Sequence, residues 1–171
     1  MQNQTTEATL SWSEKLKMNA FLRVYTFMKI PLISWIHPSV VELNGERSVL
    51  KIPLSRRTRN HLHSMYFGAM AIGAEVSVAL KAVKTIVDSK KPVDYVFKDF
   101  KAEFHKRAEG DVHFIFEDAK GVEELTKLTI DSGERQTKTF HGYAVVPSKD
   151  PNEKVLTYAV TLSMKLRQKK H

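Results

Sequence analysis

At 171 residues the chain is long enough to bury one substantial core, and it contains no cysteine. A disulfide scaffold, a CxxC redox pair, a thiolate metal site and a cysteine nucleophile are therefore excluded. With 27 Lys and Arg against 19 Asp and Glu, the net charge of +8 favours polyanionic partners such as nucleic acid, an anionic membrane or a phosphorylated cofactor, or simply serves solubility.

Residues 1–10 are polar and expected to be flexible, and 11–171 are read as one domain. The N-terminus lacks both the basic and the apolar region of a secretory signal, and the absence of cysteine fits a reducing compartment; a cytoplasmic location is expected. Ser11 and Glu14 form a capping-box pattern that predicts a helix over 11–30, ending before Pro31. Leu16, Ala20, Val24, Phe27 and Met28 share one face of it. Lys15, Lys17, Arg23 and Lys29 make the helix basic, so it can lie on a membrane, although docking on its own domain is preferred.

From Pro38 the period changes to two. Val41 and Leu43, then Leu50, Ile52 and Leu54, alternate with polar residues as half-buried strands do, and Asn44-Gly45 signals a two-residue hairpin. A basic loop, SRRTRNHLHS, leads into the run Asn60–Val87. Between Met65 and Leu80 only Glu75 is charged. The run predicts one long buried helix, too short and too acidic at its centre to span a bilayer. Beyond Pro92, Val96, Phe100, Ala102 and Phe104 are assigned to one face of a strand, with Lys98 on that face and a bulge nearby. Val112, Phe114 and Phe116 follow. Lys120–Leu128 is a helix or an irregular excursion, with Val122, Leu125 and Leu128 as its stripe. Strands over 135–146 and 156–166 precede a solvated LRQKKH tail.

Strands on both sides of one apolar helix imply an α+β domain, an antiparallel sheet wrapped around that helix, with an extra N-terminal helix. Gly68, Ala69, Ala71, Gly73 and Ala74 would let helix and sheet backbones approach closely. Glu75 then needs a reason, because an unpaired buried carboxylate costs several kcal/mol or shifts its pKa upward. It is paired by a base, kept protonated, or exposed at a subunit seam or active site.

This order of elements, over 38–166, resembles the hotdog fold, and the stretch from Asn60 to Glu75 resembles thioesterases of the phenylacetyl-CoA (PaaI) type. Those enzymes show an Asn or Gln, a His-Gly-Gly six to eight residues on, and an Asp or Glu seven past the second glycine. Here Asn60 stands six before Tyr66, Tyr66-Phe67-Gly68 occupies the His-Gly-Gly place, and Glu75 lies seven after Gly68. Tyr66 thus replaces the histidine and Phe67 the first glycine, while Ala79 stands where many relatives carry Ser or Thr. The leading helix with IPLISWIHPSVVEL also resembles a less characterised branch of hotdog proteins.

The resemblance implies hydrolysis of an acyl-CoA, with coenzyme A as part of the substrate and no separate cofactor or metal. The amides of Phe67 and Gly68 would face the developing oxyanion. Glu75 would act as general base or nucleophile, and Asn60 would hold the water or the thioester. Tyr66 would meet the substrate, and Lys106, Arg107 and Arg59, with Arg56 and Arg57, would bind the phosphates of coenzyme A. Gly68 and Glu75 lie about 10 Å apart along one helix, so the implied site is shared between two copies in a homodimer or dimer of dimers. Tyr66, Phe67 and Met70 point to an apolar acyl group of moderate size. His61-x-His63 is too sparse for a metal set. Nucleic acid is not an expected partner, since Phe97, Phe100, Phe104, Phe114 and Phe116 fall mostly at core-facing positions. The alternatives are a non-catalytic acyl or lipid ligand-binding hotdog protein, a structural homo-oligomer, and for Glu75 a structural carboxylate in the dimer seam.

Overall fold

The computed structural model describes residues 11–167; the expectations for 1–10 and for the end of the tail lie outside them. The first helix, α1 (Trp12–Lys29), begins with the expected capping box. Ser11 Oγ accepts from the Glu14 amide at 3.3 Å, and the Glu14 carboxylate accepts from the Ser11 amide at 2.8 Å. Its docked face is not the expected one. Leu22 and Thr26 are buried with Met18, Asn19 and Tyr25 half-buried, whereas Leu16, Ala20, Val24, Phe27 and Met28 face outward. Both stripes have helical spacing, and a polar peg decides between them. Asn19 accepts from the Val40 amide at 2.8 Å and donates to the Val40 carbonyl at 3.2 Å, which fastens α1 along the first strand. After Ile30 the chain enters a second, unanticipated helix, α2 (Pro31–Trp35), with Pro31 at a starting position where its missing N–H costs nothing.

Six strands form one antiparallel sheet: β1 (Ser39–Leu43), β2 (Ser48–Ile52), β3 (Val93–Phe104), β4 (Val112–Phe116), β5 (Gln136–Val146) and β6 (Asp150–Leu166), in the order β1-β2-β4-β5-β6-β3. The β1–β2 connection has four residues rather than two. Leu43 pairs with Ser48, and Asn44 Oδ1 accepts from the amides of Glu46 and Arg47, so the asparagine side chain does the work of a tighter turn. A register shift at Val40/Glu42 buries Val40 and Leu43, leaving Val41 only half-covered. The expected bulge near Lys98 is present, between Phe97 and Asp99. Its consequence corrects the assigned strand face. Tyr95, Phe97, Phe100, Ala102 and Phe104 pair with Met164, Leu162, Val160, Tyr158 and Leu156, alternate residues of β6, so they share one side and Val96 takes the other.

The long apolar helix is α3 (Phe67–Ser89), and the sheet wraps around it as the resemblance implied. Gly73 faces the Phe114 ring so closely that a Cβ would come within 2.3 Å of it. Beneath the helix, Ser77 Oγ meets the Tyr158 hydroxyl at 2.7 Å and Ser48 Oγ donates to the Ser77 carbonyl. The ambiguous segment is a full helix, α4 (Ala119–Ser132), capped by Asp118 and closed by Gly133 in the left-handed region at φ 70°. Val122 and Leu125 are buried, and Thr126 and Thr129 complete its inner face in place of Leu128, which is exposed. Lys81 of α3 is held by Glu123 of α4 and the Asn44 carbonyl, joining three elements at one buried ammonium.

Candidate functional site

The loop before α3 is built by Asn60. Its Oδ1 accepts from the amides of Leu62 (2.9 Å) and Ser64 (3.2 Å), its Nδ2 donates to Ser64 Oγ (3.1 Å), and its amide donates to the Ser64 carbonyl. Both ends of the carboxamide are engaged in holding this turn. The Met65 amide then donates to the Ala108 carbonyl and the Tyr66 amide to the Thr58 carbonyl, which fixes the direction in which α3 starts.

Tyr66 is the N-cap residue, extended at φ −65°, ψ 137°, and its side chain makes no capping bond. The first amides of α3, at Phe67 and Gly68, are thus left without the side-chain acceptor that usually closes a helix start. The Tyr66 ring lies over Gly68, where a Cβ would come within 2.4 Å of it, and Phe67 meets Tyr66 and Phe104 edge-on. These side chains border an open groove of about 510 Å³ lined by Asn60, Tyr66, Phe67, Met70, Lys106 and Arg107, among others. Lys106 is paired with Glu153, while Arg107 and Arg59 are exposed with no ion pair among the described residues. Arg59 and Gly68 flank this groove in sequence without lining it, and Arg57 turns instead to stack over Trp35 at 4.7 Å.

Glu75 stands elsewhere, two turns along α3 and half-buried. It lines a cavity of about 30 Å³, enough for roughly one water, together with Phe21, Tyr25 and Ile33 from the N-terminal helices and Tyr95 from β3. No hydrogen-bond or ion-pair partner meets its carboxyl among the described residues, and burial alone pushes its pKa above the ordinary carboxylate value. Of the expected explanations for this residue, pairing by a base is therefore not the one found within a single copy. The phenol of Tyr95 is pushed up as well, first by burial and then by neighbouring Tyr25 and Glu75. Tyr25 and Tyr95 were missed in the sequence. Their one signal is that each is a hydroxyl-bearing ring on the inward side of an amphipathic element.

One copy thus collects Asn60, Tyr66, Phe67, Lys106 and Arg107 around the start of α3 and holds Glu75 in a separate cavity under α1. Chemically, the first place offers amide donors and cations, and the second offers a poorly solvated carboxyl. The fold is shared with solved structures. A protein of unknown function from Chlorobaculum tepidum superposes with a TM-score of 0.76 at 9% identity, over 90% of this chain and 97% of that one. A thioesterase from Haemophilus influenzae gives 0.64 at 12% identity, over 96% and 98%. A thioesterase family protein from Silicibacter pomeroyi gives 0.64 at 14%, over 87% and 99%. At such identities the likeness establishes the hotdog fold. A comparison with curated proteins finds no match. Residues 18–163 match the family described as "Domain of unknown function (DUF4442)", and the chain belongs to that family.

Proposed function

We propose that the protein hydrolyses acyl-CoA thioesters, in the manner of phenylacetyl-CoA-type hotdog enzymes, at sites each shared by two copies. The observation that carries this reading is Glu75, half-buried and without a partner among the described residues, on the same helix whose start, about 10 Å away, leaves its first amides without a side-chain cap. In this scheme the Phe67 and Gly68 amides of one copy receive the carbonyl oxygen. Glu75 of the other copy takes a proton from water, whose oxygen attacks the carbonyl carbon, or attacks that carbon itself to form a mixed anhydride that water then opens to the free acid. The C–S bond breaks and the coenzyme A thiolate leaves, taking up a proton. Arg107 meets a phosphate of coenzyme A at the groove mouth, with Lys106 and Arg59 nearby. The edge of β3, which among the described residues pairs only with β6, supports a second copy at this side. So do Phe100 and Phe104, which lie on the core-facing side of the sheet yet are exposed in one copy.

A second reading, non-catalytic acyl binding, is favoured by Asn60, whose carboxamide is engaged in its own loop rather than free to hold a water. Release of free thiol from a panel of acyl-CoAs separates the two. Hydrolysis lost in a folded Glu75→Gln variant supports the enzyme. An inert panel, or full rate in that variant, overturns it, and retained acyl-CoA binding without turnover then favours the ligand-binding reading.

A further inference from the structure

The outer side of the N-terminal helices presents large apolar side chains that no described residue covers. Trp12 is 80% exposed, Phe27 and Met28 each 71%, and Trp35 60%, with Val24 and Leu32 exposed between them. Burying such residues releases ordered water whatever covers them, so exposure alone does not name the occupant. Charge does. Lys17 and Arg23 stand exposed on this outer side of α1, and the one acid of residues 12–35, Glu14, is already committed to the capping box. Arg57 adds a third cation by stacking over Trp35. Arg23 and His37 also border an open groove of about 670 Å³ between the two helices, walled by Val24, Phe27 and Met28.

A second copy placed on this face through a twofold axis would set these cations against themselves. An anionic lipid surface instead matches both components, apolar rings and aliphatic chains entering the acyl boundary while Lys and Arg meet phosphates. We infer that the outer face of α1 and α2 docks on an anionic membrane surface. The inner face of α1 roofs the Glu75 cavity through Phe21 and Tyr25, so docking brings that cavity to the lipid boundary. The docking itself does not depend on Glu75 hydrolysing anything.

The chain carries its own reporters, because its two tryptophans, Trp12 and Trp35, are both exposed on the N-terminal helices. The full chain is titrated with phosphatidylglycerol/phosphatidylcholine vesicles, reading tryptophan emission and co-sedimentation. A blue shift with sedimentation is expected, at least about tenfold weaker with pure phosphatidylcholine or in roughly 0.5 M salt. Phe27→Glu/Met28→Glu removes the apolar contact at exposed positions, and Lys17→Glu/Arg23→Glu removes the charge; each is expected to abolish binding while circular dichroism stays native. No shift with anionic vesicles, equal binding to neutral ones, or unaltered binding by both folded variants overturns the proposal. So does an oligomer that forms without lipid and dissociates in Phe27→Glu/Met28→Glu, since the face would then be covered by protein.

Discussion

Glu75 ionises against its surroundings, because burial raises its carboxyl above the usual range and no described cation offsets the cost. In the unfolded chain the group returns to its ordinary value. Between that value and the raised one, the folded protein holds the proton more tightly, so stability falls as pH rises through the window. Glu75→Gln removes this slope, and thermal melts from about pH 4 to 8 should show the variant gaining on the wild type as pH rises. Parallel profiles would contradict it. Hydrolysis needs the ionised form, so kcat/KM should rise with pH through the same window in which stability falls. Arg107→Ala should raise KM for acyl-CoA by about tenfold and leave an acyl-pantetheine, which lacks the nucleotide phosphates, unaffected; equal losses on both would place Arg107 elsewhere. At this scale the sequence was informative about Glu75, whose isolation in an apolar run is a local signal. It was silent on Tyr25 and Tyr95, which reach the same cavity from separate elements and leave no spacing to read. Asn60 shows a further limit: its place in a motif says nothing of the hydrogen bonds that tie its carboxamide into its own loop.

Among the elements, those with one dominant period were legible. α3 and the second half of β6 follow from their patterns, although β6 begins at Asp150 rather than near 156 and the bulge moves Val96 off its expected face; Gly73 packs directly against the Phe114 ring. Gly73→Ala should therefore cost about 1–3 kcal/mol of overpacking against Phe114, seen in urea as a lower midpoint with an unchanged m-value; a neutral change would show that the ring has room to move. Elements with two competing patterns were read less well. α1 has two stripes of helical spacing, and only the long-range bonds between Asn19 and Val40 select the buried one. Asn19→Ala removes both, leaves the Val40 backbone groups without this partner, and should destabilise the protein by about 1–3 kcal/mol. The loss should be concentrated in α1, so its amides should exchange faster while those of α3 stay protected. In α4 the threonines Thr126 and Thr129 are buried by donating to carbonyls one turn back, a role invisible when only apolar residues are counted.

For the whole molecule the central question is how two halves of a site on one rigid helix can act together. Within one copy Glu75 and the start of α3 open into different spaces, and the proposed second copy at the edge of β3 would complete them. Phe100→Lys puts a charge at that seam and should yield a folded, inactive monomer by sedimentation; a folded dimer with normal rate would remove β3 from the interface. The most direct measurement is complementation between two damaged copies. Phe67→Pro deletes one oxyanion amide at a first helical position that tolerates proline, after a residue already in the extended conformation proline requires. Glu75→Gln deletes the carboxylate. Each variant alone should be inert towards acyl-CoA, and after mixing and subunit exchange about a quarter of wild-type thiol release should return, from mixed dimers holding one intact site. A mixture that exchanges subunits yet stays inert, or either variant turning over alone, would contradict a carboxylate and a helix start that act across two chains.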